Sequence, residues 1–336
     1  MASLPIVQGS PHGSSETDRR PGLADVYTAR ARIAPVIKPT ALLRHPLLAD
    51  ALACDVLVKH ENHNPTCAFK VRGGLNLIAS LTADERRRGV ITASTGNHGQ
   101  SIAFACQREG VACAVYVPRG NNPEKNAAMR AMRADVVEHG RDFDEAREEV
   151  ERIAQLEGRR YVHSANEPLL IAGVATYALE IFEAVPRADF VFVPIGGGSG
   201  ASGLVTVRDA LGLSTKIIGV QAARADAFAR SWRGRTRVTG ERADTFAEGM
   251  ATRVTFDLPF GILARSLDDI VTLDEDELAA GVRLALSTTH NLAEGAGAAS
   301  IAAARKIADR IRGKSVVCVM SGGNIDAATL ARIFRS

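Results

Sequence analysis

Short apolar runs alternate with helix-length segments through the middle of the chain. The runs cover residues 90–94, 112–117, 135–138 and 160–163, and the segments that separate them cover about 99–109, 123–133 and 143–157. Runs of this length are typical of buried strands, whereas the longer segments carry the apolar period of amphipathic helices. Strands that alternate with helices form a parallel sheet that is covered by helices on both faces.

The same alternation precedes this series and continues after it. Helical segments between residues 23 and 52 are interrupted at prolines. The further predicted strands are residues 54–59, 190–194, 216–221, 269–273 and 315–320, and the further predicted helices are 75–81, about 168–185, from Ser199, 275–290, about 296–312 and from Ile325. These patterns predict an α/β fold with two doubly wound parallel-sheet domains and an active site in the cleft between them.

The pattern also predicts the division of the chain. We expect a large domain from residues 21–82 and 167–336 and a small, mobile domain from residues 83–166. Residues 1–20 are rich in Pro, Gly, Ser and charged residues without an apolar segment, so they are predicted to be a disordered tail rather than a signal sequence.

Composition narrows the class of protein. The 336 residues are 46% hydrophobic, and 41 basic against 38 acidic side chains give a net charge of +3, which is too balanced for a nucleic-acid binding surface. No stretch predicts a membrane span. Five cysteines lack CxxC spacing, and all except Cys67 lie in apolar surroundings, as reduced thiols in a cytoplasmic protein do. A small molecule is therefore the expected partner.

Lys70 is the first candidate for chemistry. It follows the strand at 54–59 and lies among Ala68, Phe69 and Val71, without a carboxylate close by in the sequence. Partial burial, with Arg72 nearby, would lower the pKa of the lysine, as an amine nucleophile requires. A lone lysine on an apolar helix face is more often a solvated side chain, so this assignment depends on the other motifs.

Three glycine-bearing loops follow predicted strands, where working loops of such sheets lie. Residues 94–100, Ser-Thr-Gly-Asn-His-Gly-Gln, combine polar donors with a helix start and suit a carboxylate, although an ordinary capped turn would look similar. Residues 196–200, Gly-Gly-Gly-Ser-Gly, suit a phosphate. Residues 321–324, Ser-Gly-Gly-Asn, present a hydroxyl at a strand end.

A dinucleotide-binding alternative exists at the second loop. Residues 198–203 fit G-x-G-x-x-G literally, which is a weak signal by itself. A nicotinamide site requires an acidic residue at the end of the following strand, and Gln221 occupies that position. The dehydrogenase interpretation is therefore disfavoured.

Together, the lysine stretch and the three loops resemble the pyridoxal-phosphate-dependent enzymes of the tryptophan-synthase β fold, fold type II. Within that fold the sequence is similar to the serine/threonine dehydratase and serine racemase family, from about residue 23 to 336. The order of four motifs makes the resemblance specific. It implies pyridoxal 5′-phosphate as the cofactor and, as in many relatives, a homodimer.

The resemblance also implies roles for individual residues. Lys70 would bind the cofactor covalently and then take the substrate's Cα proton, and Ser321 would face the pyridine nitrogen. A serine there does not keep that nitrogen protonated, which weakens the electron sink and favours β-elimination. Phe69 would pack near the ring, and Asn97 would bind its phenolic oxygen. The phosphate would be held by Gly196, Gly197, Gly198, Ser199 and Gly200, and the substrate by Ser94, Thr95, Gly96 and His98.

The implied activity is an ammonia-lyase that converts L-threonine or L-serine to a 2-keto acid and ammonia. Other hydroxy amino acids remain open as substrates: hydroxyaspartate, phenylserine, or an intermediate of osmolyte breakdown such as from hydroxyectoine. Serine racemisation is also open, although Thr95 stands where racemases carry serine. An NAD-binding dehydrogenase and an inactive binding scaffold are remote alternatives.

Two departures from the family pattern stand out. Cys67 occupies a position that is usually Gly or Ser, and we favour a packing role for it. Many relatives bind a divalent cation through two carboxylates and a carbonyl, and the matching side chains are Gln221 and Ala227, with Ala225 at the carbonyl position. Hard cations prefer anionic oxygens, so this site is predicted to be lost. Compensation by Asp226 and Glu248 is a less favoured alternative.

Overall fold

The structure is a computed structural model that describes residues 19–335. Of the predicted disordered tail, residues 1–18 lie outside the described residues. The described strands, in chain order, are β1 (Leu42–Arg44), β2 (Asp55–His60), β3 (Val90–Ala93), β4 (Cys113–Val117), β5 (Asp135–Glu138), β6 (Arg160–Tyr161), β7 (Phe190–Pro194), β8 (Lys216–Ala222), β9 (Asp269–Leu273) and β10 (Ser315–Met320).

The helices cover both faces of the sheets. They are α1 (Leu23–Ile33), α2 (Pro46–Leu52), α3 (Lys70–Ala79), α4 (Ala83–Arg88), α5 (Asn97–Glu109), α6 (Pro123–Ala131), α7 (Phe143–Glu157), α8 (Pro168–Val174), α9 (Thr176–Ala184), α10 (Ser199–Ala210), α11 (Ala227–Gly234), α12 (Asp257–Ser266), α13 (Glu275–Thr289), α14 (Gly295–Lys306), α15 (Ala308–Ile311) and α16 (Ala327–Arg335). None of these described helices is long and apolar enough to cross a membrane.

The strands form two sheets. The larger has the order β1-β2-β10-β7-β8-β9 and the smaller has the order β5-β4-β3-β6. Every neighbouring pair is parallel except β1 and β2, which pair antiparallel with Leu42 opposite Lys59. Because helices cover both faces, a strand such as β3 is buried along its whole length, including its one polar residue, Thr92. The predicted α/β fold class is confirmed.

The predicted elements agree with the structure at most positions, but the short helices α4, α11 and α12 were not predicted and other elements differ in their bounds. The helix predicted at 75–81 begins at Lys70, because Gly73 and Gly74 act as packing residues and not as helix breakers. A Cβ at Gly74 would collide with Ser101 of α5, so close helix packing outweighs the low helix propensity of glycine. The helices predicted at 168–185 and 296–312 are each two helices, and β1 was missed.

A group of buried charges lies beneath α3. Arg72 is fully buried, and its guanidinium makes paired contacts with Glu61 (2.8 and 3.0 Å) and with Glu180 of α9 (2.7 and 3.0 Å). Lys59 of β2 adds a second cation at 2.5 Å from Glu180. Although burial opposes it, Arg72 holds the pKa of Glu61 below its usual value. These four side chains, which we call the buried quartet, therefore join β2, α3 and α9.

The buried quartet predicts a large stability effect. Arg72→Met would leave Glu61 without an ion-pair partner in the interior and Glu180 with Lys59 alone, and we expect the free energy of unfolding to fall by about 3–5 kcal/mol in a urea titration. Arg30→Gln is the matched control, because Arg30 pairs with Glu183 at the surface and its loss costs at most about 1 kcal/mol. A loss from Arg72→Met no larger than that of the control would contradict this assignment.

Candidate active site

The carboxyl ends of strands from both sheets meet at one cavity. Every cofactor and substrate residue predicted from the sequence lines this cavity. They are Phe69, Lys70, Ser94, Thr95, Gly96, Asn97, His98, Gly196, Gly197, Gly198, Ser199, Gly200 and Ser321. The motifs are separated by as many as about 250 residues in the sequence, so their convergence is a property of the fold and not of local structure.

Lys70 is the first residue of α3 and points into the cavity. Its Nζ donates hydrogen bonds to the carbonyl oxygen of Ser164 (3.1 Å) and to Oγ of Ser199 (3.0 Å). Burial lowers the pKa of Lys70 to about 8, as expected for an amine nucleophile. The predicted contribution of Arg72 is wrong, because the Arg72 guanidinium lies in the buried quartet and its charge is engaged by Glu61 and Glu180.

The loop before Lys70 is attached to the loop after β10. The amide of Phe69 donates to the carbonyl oxygen of Ser321 (3.0 Å), and the amide of Gly323 donates to that of Cys67 (2.9 Å). These contacts extend the pairing of β2 with β10 beyond the strand ends. Lys70 and Ser321 are thereby fixed relative to each other. Cys67 is exposed, with a positive φ of 51°, a conformation that favours glycine.

The glycine loop joins β7 to α10. Gly198 has a φ of 93° and caps α10, and a Cβ at Gly196 would collide with the carbonyl oxygen of Gly249. Gly200 is less confined, since its Cβ would lie 3.3 Å from the hydroxyl of Tyr177 and 3.5 Å from the ring of Phe69. The N-terminus of a helix of 12 residues faces the cavity here, and its partial positive charge suits a phosphate.

The loop after β3 is held by its own serine and histidine. Ser94 Oγ accepts hydrogen bonds from the amides of Gly96 (3.1 Å) and Gly99 (2.8 Å). His98 lies 2.9 Å from Thr92 Oγ1, and burial, with Lys70 nearby, lowers the pKa of His98 to about 3. The imidazole is therefore neutral, and the groups that this loop offers to an anion are N–H and O–H donors and not a charged histidine.

Asn97 has a fixed orientation. Its Nδ2 donates to Oε1 of Glu294 (2.6 Å), and its Oδ1 accepts from Nδ2 of Asn324 (2.8 Å). Because an amide nitrogen carries two protons, one N–H of Asn97 remains for a ligand. Burial raises the pKa of Glu294. The supporting contacts of Glu294 and Asn324 could not be assigned from the sequence, although Asn324 belongs to the predicted loop at 321–324.

Lys125 lines the cavity and was missed. It lies in the first turn of α6 and forms an ion pair with Glu248. A cation in the first turn is disfavoured by the helix dipole, so this position is unusual for a helix on its own. That mismatch is the sequence signal that could have drawn attention to Lys125.

Gln221 stands at the position where the resemblance leads us to expect a cation-binding carboxylate. Its side chain is fully buried, with Nε2 donating to the carbonyl oxygen of Ile195 (3.3 Å) and Oε1 accepting from the amide of Ala229 (2.7 Å). The amide thus connects α11 to the start of the glycine loop. Asp226 pairs with Arg230 (2.9 Å), and Glu248 pairs with Lys125. Within residues 19–335, no three His, Cys, Asp or Glu side chains form a metal-binding group.

Several known proteins are similar to this chain in sequence and fold. L-threonine ammonia-lyase of Thermotoga maritima is 36% identical over 311 residues, which cover 93% of this chain and 77% of that protein. The catabolic L-threonine dehydratase of Escherichia coli K12 is 32% identical over 311 residues, or 92% of this chain and 94% of that protein. The processed form of threonine deaminase isoform 2 from Solanum lycopersicum superposes with a TM-score of 0.86 at 28% identity, over 98% of this chain and 99% of that chain.

The family assignment rests on most of the chain. The profile of the family described as pyridoxal-phosphate dependent enzyme matches residues 33–322. The family, the fold class and the cofactor predicted from the sequence are thereby confirmed. The chain belongs to the pyridoxal-phosphate dependent enzymes.

Proposed function

We propose that this protein is an ammonia-lyase that dehydrates and deaminates L-threonine or L-serine to a 2-keto acid and ammonia. One observation carries the proposal. A lysine with a lowered pKa, free of a carboxylate partner in the described structure, lies between a phosphate-sized glycine loop and an anion-binding loop. Relatives named for the same reaction on L-threonine support it.

The cavity fits pyridoxal 5′-phosphate. No side chain fits at Gly196, where a Cβ would collide with the Gly249 carbonyl oxygen, so the loop offers backbone amides and the N-terminus of α10 to the phosphate. Lys70 Nζ lies 3.0 Å from Ser199 Oγ, so the amine that would bond the cofactor is adjacent to the phosphate loop. Ser321 and the free N–H of Asn97 would then meet the ring, and Phe69 would pack beside it.

The cofactor, when bound, supplies an electron sink for the charge that develops at the substrate's Cα. Lys70 takes the Cα proton once its amine is released, and its lowered pKa makes a neutral amine available near neutral pH. The 94–98 loop orients the substrate carboxylate through N–H groups and the Thr95 hydroxyl. Ser321 would offer a hydrogen bond to the ring nitrogen without adding charge, which would suit loss of the β-hydroxyl as water.

We also propose that the chain is a cytoplasmic homodimer whose large domain (residues 21–82 and 167–336) and small, mobile domain (83–166) each contain one sheet. The free state of all five cysteines supports a reducing compartment. Leu43 on the edge strand β1 and the neighbouring Leu47 are 46% and 56% exposed, which supports an apolar contact with a second copy.

The proposed dimer predicts a mass. Light scattering of the purified protein should give twice the 35.7 kDa mass of the chain, and the double variant Leu43→Asp/Leu47→Asp should shift it toward the single-chain value. A wild-type mass of one chain at micromolar concentration would contradict the dimer.

The proposed reaction predicts a sharp dependence on Lys70. The holoenzyme should absorb in the visible range and release ammonia from L-threonine or L-serine, and Lys70→Ala should lower this rate by about 100-fold or more. Lys306→Ala is the control, because Lys306 is an exposed lysine paired with Glu277. Ammonia release only from another β-hydroxy amino acid would show that the substrate is wrong. A Lys70→Ala variant that retains full activity would refute the mechanism.

We propose further that the enzyme works without a divalent cation, with the Gln221 amide in its place. Chelation should leave wild-type activity within about two-fold, whereas Gln221→Glu places a carboxylate against the Ile195 carbonyl and should weaken cofactor affinity by about 10-fold. Added Mg²⁺ or Ca²⁺ should restore part of this loss. Gln107→Glu, at an exposed position of α5, is the matched control. A wild type that chelation inactivates would contradict this role.

A further inference from the structure

The charged side chains of the cavity are few. Among the described residues that line it, Lys70 and Lys125 are the cations, Glu248 and Glu294 are the anions, and His98 is neutral. An amino acid that enters the cavity brings a carboxylate, whose charge must be balanced in a space partly closed to water. Lys70 is committed to the cofactor, so one lysine remains as a cation for the substrate.

Lys125 lies directly against the loop at residues 94–98. Its Cδ and Nζ are 3.1 and 3.5 Å from the position that a Cβ at Gly96 would take, so a side chain at position 96 would displace the lysine. Lys125 is 8% exposed. Burial opposes the ammonium form, but Glu294 and Glu248 raise the pKa of Lys125, and the side chain stays charged.

The present partner of Lys125 is exchangeable. Glu248 lies in the loop between α11 and α12, and its side chain is 37% exposed, so water can solvate the carboxylate when the ion pair opens. Glu294 is instead buried and accepts a hydrogen bond from Asn97. The dipole of α6 does not favour a cation at its N-terminus, so nearby anions must offset this unfavourable contribution.

We propose that Lys125 is the counter-ion of the substrate's α-carboxylate and that it exchanges Glu248 for this carboxylate when the substrate binds. The inference rests on the proposed function, since it concerns the same amino-acid site. It makes Lys125 a specificity-determining residue, because it selects amino acids with a free carboxylate over their amides. The loop at 94–98 contributes N–H donors, and Lys125 contributes the charge.

The test compares L-threonine with L-threoninamide in the holoenzyme. Apparent dissociation constants are obtained from the change in the cofactor's absorbance, independently of ammonia release. We expect the wild type to bind threonine about 10- to 100-fold more tightly than the amide, as for a hydrogen bond to a charged group. Lys125→Gln should remove this preference by weakening threonine alone, with cofactor affinity unchanged, and Lys125→Arg should restore part of it.

Two further variants separate this role from a structural one. Glu248→Gln frees Lys125 from its resident anion and should tighten threonine binding. If the ion pair only held the protein closed, Glu248→Gln would weaken binding as much as Lys125→Gln, and the proposal would be overturned. Arg253→Gln removes the contacts of Arg253 with Asp142 and Asp144 (3.1 and 2.6 Å), which also join the segment before α12 to α7, and should leave the preference unchanged.

The wild type alone can also overturn the proposal. Equal responses to threonine and its amide, or no response to either, exclude a carboxylate counter-ion whether or not any variant folds. A wild type that discriminates between the two but releases no ammonia from threonine would refute the proposed function and leave the role of Lys125 standing. The two failures are therefore distinguishable.

Discussion

The paired contacts of one guanidinium with two carboxylates determine how the catalytic helix is set in the protein. Arg72 and Lys70 are two residues apart, so on a helix their side chains leave the axis about 200° apart. Fixing Arg72 among Glu61 and Glu180 therefore turns Lys70 toward the cavity. Buried ion pairs often add little net stability, but their geometry permits few alternative arrangements. The ion pairs of Arg72 therefore contribute the orientation of α3.

The same helix thus carries two cations in opposite electrostatic settings. Arg72 donates hydrogen bonds to two carboxylates, whereas Lys70 donates hydrogen bonds to a carbonyl and a hydroxyl. A fully paired cation is inert, and a cation without a counter-charge gives up its proton readily. The cavity repeats this contrast at Lys125, which stays charged because carboxylates surround it. The positions of the carboxylates therefore determine which of these cations can lose a proton.

Much of the fold and the candidate site follows from local patterns. Apolar runs gave β7, β9 and β10 their observed bounds, and the three loops were found because glycine-rich segments after strands are visible in the sequence itself. What was missed depends on contacts between distant residues. Glu180 is 108 residues from Arg72, so no local stretch of sequence could reveal that Arg72 points away from Lys70. The start of α3 at Lys70 depends on packing of Gly74 against α5. From the sequence, Gln221 indicates only the loss of a metal ligand, whereas the structure shows that its amide binds Ile195 and Ala229.

The buried quartet also constrains how this sequence can diverge. Each of its cations touches a carboxylate that another cation shares, so replacing any one of Lys59, Glu61, Arg72 or Glu180 leaves an excess charge inside the protein. A single substitution at one of these positions is therefore expected to destabilise the protein unless a second substitution compensates for it. We therefore expect the four positions, which join β2, α3 and α9, to co-vary during evolution. Homologous sequences should exchange them as a set, while the surface ion pairs around them vary independently.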